Sequence, residues 1–104
     1  MTIHLSVLLW ERSGRAAELI AYEDEVLTLL EHHGGRVVSR VRRIAGEDGP
    51  LESQLIELPS QGALDDYMVD ERRLALADRR DAAIERTEIQ RVESIDAPRT
   101  NPQG

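Results

Sequence analysis

The order of its apolar segments most constrains what this chain can fold into, because strand-like and helix-like spacings alternate along it. Residues 3–10, IHLSVLLW, are short and apolar and predict a strand that is buried on both faces. Residues 15–33 follow helical spacing, with Ser13 as a candidate N-cap. One side of this helix carries the apolar stripe Leu19, Tyr22, Val26, Leu29, Leu30 and His33.

A hairpin is predicted to follow the first helix. Gly34 suits the left-handed conformation that ends many helices, because glycine has no Cβ to clash there. Residues 36–44 then predict a second strand, and the turn formers at 45–50 join it to a third strand at 51–58.

The last third of the chain predicts more helix and one more strand. Ser60 caps a helix that starts at Gln61, and Asp70 caps a second helical segment over residues 71–84. Residues 87–93 predict the final strand.

The resulting order, βαββαβ, predicts an α+β fold of the ferredoxin-like type, with a four-stranded antiparallel sheet and both helices on one face. The strands carry apolar residues on both faces, so the face without helices needs a cover. A second copy of the same sheet is the simplest cover, and we expect a homodimer that forms a dimeric α/β barrel. Residues 1–93 are expected to form this single domain, and residues 94–104 a flexible C-terminal tail.

Composition argues against several classes of function. The formal net charge of −7 disfavours nucleic acid and anionic membranes as partners. The chain has no cysteine, which excludes thiol chemistry and thiolate metal sites. No segment is long and apolar enough to span a bilayer or to act as an export signal, so the expected location is the cytoplasm.

A cluster of four arginines lies in and just after the second predicted strand. Strand alternation places Arg36, Arg40 and Arg42 on one face and Arg43 on the other. The chain is acidic overall and no aromatic residue interleaves the cluster, so we do not expect a nucleic-acid surface.

Two adjacent histidines, His32 and His33, precede the glycines that end the first helix. Adjacent helical side chains point about 100° apart, so the pair cannot easily share one metal ion. The only other histidine is His4, and we therefore expect neither a metal nor another cofactor. His33 lies on the apolar stripe, which makes it the candidate to line a pocket and, in an enzyme, the candidate general base.

Arg80 shares a predicted helical stripe with apolar residues, which points its guanidinium inward. A buried charge requires a partner, because leaving it unpaired is costly. The favoured partner is an internal carboxylate, Glu57, Asp65 or Asp66, and the alternative is the carboxylate of a bound ligand.

The chain has three aromatic residues, Trp10, Tyr22 and Tyr67. They are either plain core residues or the edges of one pocket between the sheet and the helices.

Several segments resemble a small bacterial family. Residues 55–60, Leu-Ile-Glu-Leu-Pro-Ser, resemble its valine-isoleucine-glutamate-phenylalanine-proline-serine strand end, and residues 75–80 resemble its Ala-Leu-Ala-Pro-Leu-Arg segment. Tyr22 followed by the His-Gly-Gly-Arg-Val of residues 33–37 is similar to its Tyr and Gly-Gly-Arg spacing. That family is the domain of unknown function 1330, in the dimeric α/β-barrel superfamily, and the resemblance covers roughly residues 3–93.

The resemblance implies the ferredoxin-like fold, and Arg80 matches an arginine that recurs in the family. The superfamily includes cofactor-free monooxygenases, isomerases, haem-handling proteins and ligand-binding domains. The chain departs from the pattern at Leu58, where phenylalanine is usual, and at Glu71 and Arg73, where proline and tyrosine are usual.

Three functions follow as hypotheses. The first is binding of a small organic molecule in a pocket edged by Tyr22, Tyr67, His33 and Arg80. The second is a cofactor-free enzyme of the monooxygenase, isomerase or lyase type in the same pocket, with His33 as its base. The third is a non-catalytic interaction module that acts through its acidic helical face.

Overall fold

The computed structural model describes residues 1–93 and residue 95. Four strands form one antiparallel sheet in the order β2-β3-β1-β4. The strands are β1 (Ile3–Glu11), β2 (Arg36–Arg42), β3 (Glu52–Leu58) and β4 (Ile84–Val92). The helices are α1 (Ala16–Val26), a 3₁₀ helix (Leu27–His33), α2 (Gln61–Met68), α3 (Glu71–Leu74) and α4 (Ala77–Ala83). The predicted ferredoxin-like fold is confirmed. The predicted tail, residues 94–104, lies outside the described residues apart from Ile95.

The central strand β1 has one face towards the helices and one face away from them. Its odd-numbered side chains are buried under the helices: Ile3, Leu5, Val7 and Leu9. Its even-numbered side chains, from His4 to Trp10, are only half-buried on the face without helices. The prediction that this strand is buried on both faces is therefore wrong for the single chain.

The predicted first helix is divided in two. α1 starts at Ala16 with no side-chain cap, so Ser13 does not cap it, and after Val26 the chain tightens into the 3₁₀ helix. Gly34 ends that helix at φ 74°, in the left-handed region, as predicted. At Gly35 an added Cβ would lie 2.8 Å from the carbonyl oxygen of Glu57, so glycine permits the close approach of this segment to β3.

The two predicted caps of the second half are present. The Ser60 hydroxyl accepts from the backbone N–H of Ala63 at 3.1 Å, and the Asp70 carboxylate accepts from the backbone N–H of Arg72 at 2.8 Å. The predicted helix over residues 71–84 is interrupted between α3 and α4. β4 starts at Ile84, three residues earlier than the predicted strand.

A bulge in β2 changes which face its arginines occupy. The register shifts between Val37 and Ser39, so Arg40 and Arg42 lie opposite Gln54 and Glu52 on the helix-covered face. Arg36 stays on the other face, where its Nε donates to Glu57 at 2.9 Å. The prediction that the three arginines share one face is wrong, because one extra residue in a strand reverses the alternation beyond it.

No described helix is long and apolar enough to cross a membrane. The cytoplasmic location stays a prediction.

Candidate functional site

A cavity of about 180 Å³, here called the core cavity, lies between the helix-covered face of the sheet and the helices. Its walls are mostly apolar, with Leu5 and Val7 of β1, Ile56 of β3 and Val26 of α1 among them. Exposed side chains also line it, including Ile89 on the edge strand β4, which is 51% exposed, and Met68 at the end of α2. The cavity therefore opens between α2 and β4.

Two buried tyrosines line the core cavity. Tyr22 comes from α1 and Tyr67 from α2. Burial raises the pKa of Tyr67 to about 12 and also raises the pKa of Tyr22, so both phenols are neutral near pH 7. The Tyr67 hydroxyl donates a long hydrogen bond, 3.5 Å, to the carbonyl oxygen of Val26, and the neighbouring Arg73 guanidinium opposes the effect of burial on the pKa of Tyr67.

A buried carboxyl group, Glu23, also lines the core cavity. Its side chain is on α1 beside Tyr22, and the residue is 5% exposed. The amide Nε2 of Gln54 donates to Glu23 Oε1 at 2.8 Å and to Glu52 Oε1 at 3.0 Å. Burial raises the pKa of Glu23, although the hydrogen bond from Gln54 opposes this effect. This carboxyl group therefore keeps its proton to a higher pH than an exposed glutamate does.

Behind Gln54, a second buried carboxylate connects the cavity wall to the surface. Glu52 is fully buried, and Arg40 donates to both of its oxygens, at 2.5 and 3.0 Å. Burial would raise the pKa of Glu52, but the hydrogen bonds from Arg40 and Gln54 outweigh it and lower that pKa. Glu52 is thus the ionised acid of this network and Glu23 the one that holds its proton more tightly.

Sequence reasoning missed Glu23, although a signal was present. Glu23 follows Leu19 by four residues and precedes Val26 by three, which places it on the buried side of the helix. A charged residue at a stripe position is the pattern that marks a buried titratable group.

Arg73 of α3 is a half-buried cation that lines the core cavity. Its guanidinium carbon lies 5.2 Å from the centroid of the Tyr67 ring. Its Nη1 donates to the carbonyl oxygen of Met68 at 3.3 Å. Its Nε is buried and has no hydrogen-bond partner among the described residues. Sequence reasoning noted Arg73 only as a departure from a family pattern and did not assign it to the site.

Arg80 lines the core cavity, but not in the way that the sequence predicted. Its side chain is 44% exposed, and its ion-pair contact is with the exposed Asp81 at 3.8 Å. The predicted internal salt bridge is wrong: Glu57 pairs with Arg36 and His4 instead. Arg80 is the middle residue of the seven-residue helix α4, and its long side chain contributes to the cavity lining while it stays exposed to solvent.

His33 and Trp10 do not line the core cavity. His33 lies behind Tyr67, with the two ring centroids 5.9 Å apart and the rings edge to face. Trp10 lies on the opposite face of the sheet, where the Arg86 guanidinium stacks 4.5 Å above its ring. Of the five predicted binding residues, the structure brings Tyr22, Tyr67 and Arg80 together.

Among residues 1–93 and 95, no three histidine, aspartate or glutamate side chains converge as metal ligands do. The absence of a metal stays a prediction, which metal analysis of the untagged purified protein would check.

Comparison with known proteins defines the fold more closely than the function. No family model matches the chain, and no curated protein matches it. A protein of unknown function from Rhodopseudomonas palustris is 23% identical with a TM-score of 0.73, over 92% of this chain and 84% of that one. A dabb family protein with a ferredoxin-like fold from Mesorhizobium loti is 15% identical with a TM-score of 0.66, over 91% of this chain and 98% of that one.

A third similar structure is SnoaB, a cofactor-independent oxygenase from Streptomyces nogalater. It is 10% identical with a TM-score of 0.70, over 92% of this chain and 95% of that one. At these identities the similarities establish the ferredoxin-like fold alone.

Proposed function

We propose that this protein binds a small organic molecule in the core cavity. The observation that carries the proposal is a cavity with apolar walls into which buried polar groups converge, Glu23, Tyr22 and Tyr67. A core that served only to hold the fold would be more stable with apolar side chains there, because buried polar groups are costly without full hydrogen bonding. Apolar walls with a few polar groups are typical of small-molecule sites.

The size of the core cavity limits the ligand. An engineered apolar cavity of about 150 Å³ accommodates benzene. A cavity of about 180 Å³ therefore suits one ring with a small substituent.

The test is a binding screen of one-ring neutral and acidic compounds, read by chemical-shift changes of the cavity residues and by thermal shift. Thr87 lines the cavity from the edge strand β4, so Thr87→Trp should obstruct it with little disturbance of the core. The control is Arg91→Trp, on the same strand and face but outside the lining. We expect Thr87→Trp to weaken binding about tenfold or more and Arg91→Trp to preserve it.

A screen in which no compound shifts the cavity resonances would contradict the proposal, as would equal binding to both variants. The remaining hypothesis would then be an interaction module that acts through the acidic helical face.

A cofactor-free enzyme in the same cavity is the second candidate, and Glu23 is the observation that favours it. The sequence pointed to His33 as the base, but Glu23 is the group that lines the cavity and has a raised pKa. The fold similarity to SnoaB agrees with this candidate. Conversion of a screened ligand in air, followed by mass spectrometry, should stop in Glu23→Gln while binding persists. Unchanged conversion in that variant would argue against Glu23 as the base.

We also propose that the chain is a divergent relative of the family of domain of unknown function 1330. Two of the resembling segments contact each other: a Cβ at Gly34 would lie 3.1 Å from the Pro59 ring, and one at Gly35 would lie 2.8 Å from the Glu57 carbonyl oxygen. The glycines of one segment and the strand end of the other are therefore parts of one close contact in the fold. A profile built from many relatives of this chain should align with that family over residues 3–93, and failure to align would contradict the relationship.

A homodimer is proposed through the face of the sheet that lacks helices. Leu8, Trp10 and Leu55 lie half-buried on it, and Val41 is exposed there. Its charges are largely paired within the chain, through Glu57 with Arg36 and His4 and through Arg86 with Glu88. Paired charges are less costly to cover than single ones, so this surface suits a second copy of itself.

A further inference from the structure

The Nε of Arg73 is the only buried side-chain nitrogen or oxygen among the described residues that lacks a hydrogen-bond partner. Such a donor is costly to leave unsatisfied, and an unpaired buried group in a folded protein calls for a specific explanation. Here the donor belongs to a charged side chain that lines the core cavity.

Arg73 also lacks an ionic partner. Nine of the twelve arginines that the structure describes form a salt bridge with a carboxylate, and Arg12, Arg73 and Arg91 form none. Arg12 and Arg91 are exposed and donate to the Asp81 carbonyl oxygen and the Gln61 side chain, whereas Arg73 lines the core cavity. Glu23 is the carboxyl group that lines the core cavity together with Arg73, but it accepts its hydrogen bond from Gln54 and not from Arg73. The positive charge of Arg73 is therefore not neutralised by a direct partner within residues 1–93.

The guanidinium of Arg73 is held in place by its surroundings. Its guanidinium carbon lies 5.2 Å from the centroid of the Tyr67 ring, and its Nη1 donates to the Met68 carbonyl oxygen. The helix α3 that carries it starts at a fixed cap, because Asp70 accepts hydrogen bonds from the Arg72 backbone N–H and from His33. A guanidinium that is positioned in this way loses little freedom when it binds an anion.

We infer that Arg73 is the anion anchor of the core cavity and that the cavity takes a carboxylate carried on a single apolar ring. This inference rests on the proposed small-molecule function. The planar guanidinium edge matches a carboxylate in geometry and charge, and the apolar walls accommodate the ring.

Glu23 and the tyrosines complete the environment of the anion. Burial raises the pKa of Glu23, so its carboxyl keeps its proton to a higher pH than an exposed glutamate does. A protonated carboxyl and a neutral phenol can both donate a hydrogen bond to a carboxylate oxygen.

The experiment compares benzoate with benzyl alcohol, which have the same ring and differ in charge. We expect the wild-type protein to bind benzoate about tenfold or more tightly than benzyl alcohol, by isothermal titration calorimetry. Arg73→Met should abolish this preference for benzoate and should still bind benzyl alcohol. Arg73→Lys should restore only part of it, because an ammonium lacks the planar fork. Arg80→Met is the matched control, since Arg80 also lines the cavity but is half-exposed, and it should keep the preference.

A preference for benzoate that persists in Arg73→Met would overturn the inference, and so would tighter binding of benzyl alcohol by the wild-type protein. In both cases the cavity still binds a small molecule, so the proposed function survives. Binding of neither probe would also overturn the inference, whereas the proposed function is contradicted only if no compound of the wider screen binds. A second measurement uses only the wild-type protein and so does not depend on whether the variants fold. The Nε–H resonance of Arg73 should shift on addition of benzoate and not on addition of benzyl alcohol.

Discussion

The imidazole of His33 and the carboxylate of Asp70 are joined by a 2.7 Å hydrogen bond across 37 residues of sequence. Because an ionised carboxylate only accepts, the Nε2–H of His33 is the donor. The bond connects the end of the 3₁₀ helix to the N-cap of α3, and the imidazole also packs against Tyr67. His33 therefore supports the wall of the core cavity from behind.

Replacing Asp70 tests this support through its pH dependence. Hydrogen bonds from Arg72 and His33 lower the pKa of Asp70, so its ionised form stabilises the folded protein above the unfolded pKa of about 3.9. Asp70→Asn should lower the melting temperature by several degrees at neutral pH. The difference from the wild type should narrow gradually as the pH falls below about 4 towards the lowered folded pKa, because the unfolded state binds a proton on Asp70 in that range and the folded state does not. A difference that stays constant down to low pH would argue against this ionic contribution.

Glu23→Gln should stabilise the folded protein, and the gain over the wild type should grow as the pH rises. Burial raises the pKa of Glu23, so the folded state binds its proton more tightly than the unfolded state does, and stability is lost as the pH rises from about 4.5 through the folded pKa. Gln54, Glu52, Arg40 and Arg73 also act on this pKa. Each unit of pKa difference is worth about 1.4 kcal/mol. The variant should therefore be more stable than the wild type at about pH 8 and nearly equal to it at about pH 4.5.

Chemical denaturation at the two pH values measures this change in the free energy of unfolding. The exposed Glu31, which forms no salt bridge with the described residues, provides the control variant Glu31→Gln. A gain in stability that is the same at both pH values, or that Glu31→Gln also gives, would show that the burial of Glu23 is not its cause.

Arg80→Ala should change the stability little. Its side chain is 44% exposed, and its ion-pair contact with Asp81 is long, so we expect a change within about 0.5 kcal/mol in the free energy of unfolding. A buried ion pair broken at one partner would instead cost about 3–5 kcal/mol. A loss of that size on thermal or chemical denaturation would mean that Arg80 has an internal partner.

Leu55→Glu should separate the proposed dimer. Leu55 lies opposite Ser6, on the face of the sheet that lacks helices, and a carboxylate there would have to be desolvated in the dimer. Light scattering coupled to size exclusion should give a dimer for the wild type and a monomer for the variant. Ala21→Glu places the same charge on the exposed side of α1 and should remain a dimer. A wild-type protein that is monomeric at micromolar concentration would contradict the proposal.

Much of the fold could be predicted because its signals are local. The stripe Leu19, Tyr22 and Val26 follows from helical spacing, and the end of the 3₁₀ helix follows from the left-handed freedom of Gly34. The caps at Ser60 and Asp70 depend on side chains that bond to the backbone two or three residues further along. Such contacts depend little on the tertiary setting, so the sequence by itself determined the order of strands and helical segments, although not where the helices are interrupted.

The candidate site depended on contacts that no local pattern contains. One extra residue in β2 moved Arg40 and Arg42 to the helix-covered face, and the pairing of β1 in the sheet left Trp10 on the side away from the cavity. Arg80, on α4, lines the cavity but remains exposed to solvent, whereas Arg73, on a four-residue helix, came to lie half-buried against Tyr67 with its Nε enclosed. Whether a charge is buried or exposed is decided by what packs against it from distant parts of the chain, and only the tertiary structure decides that.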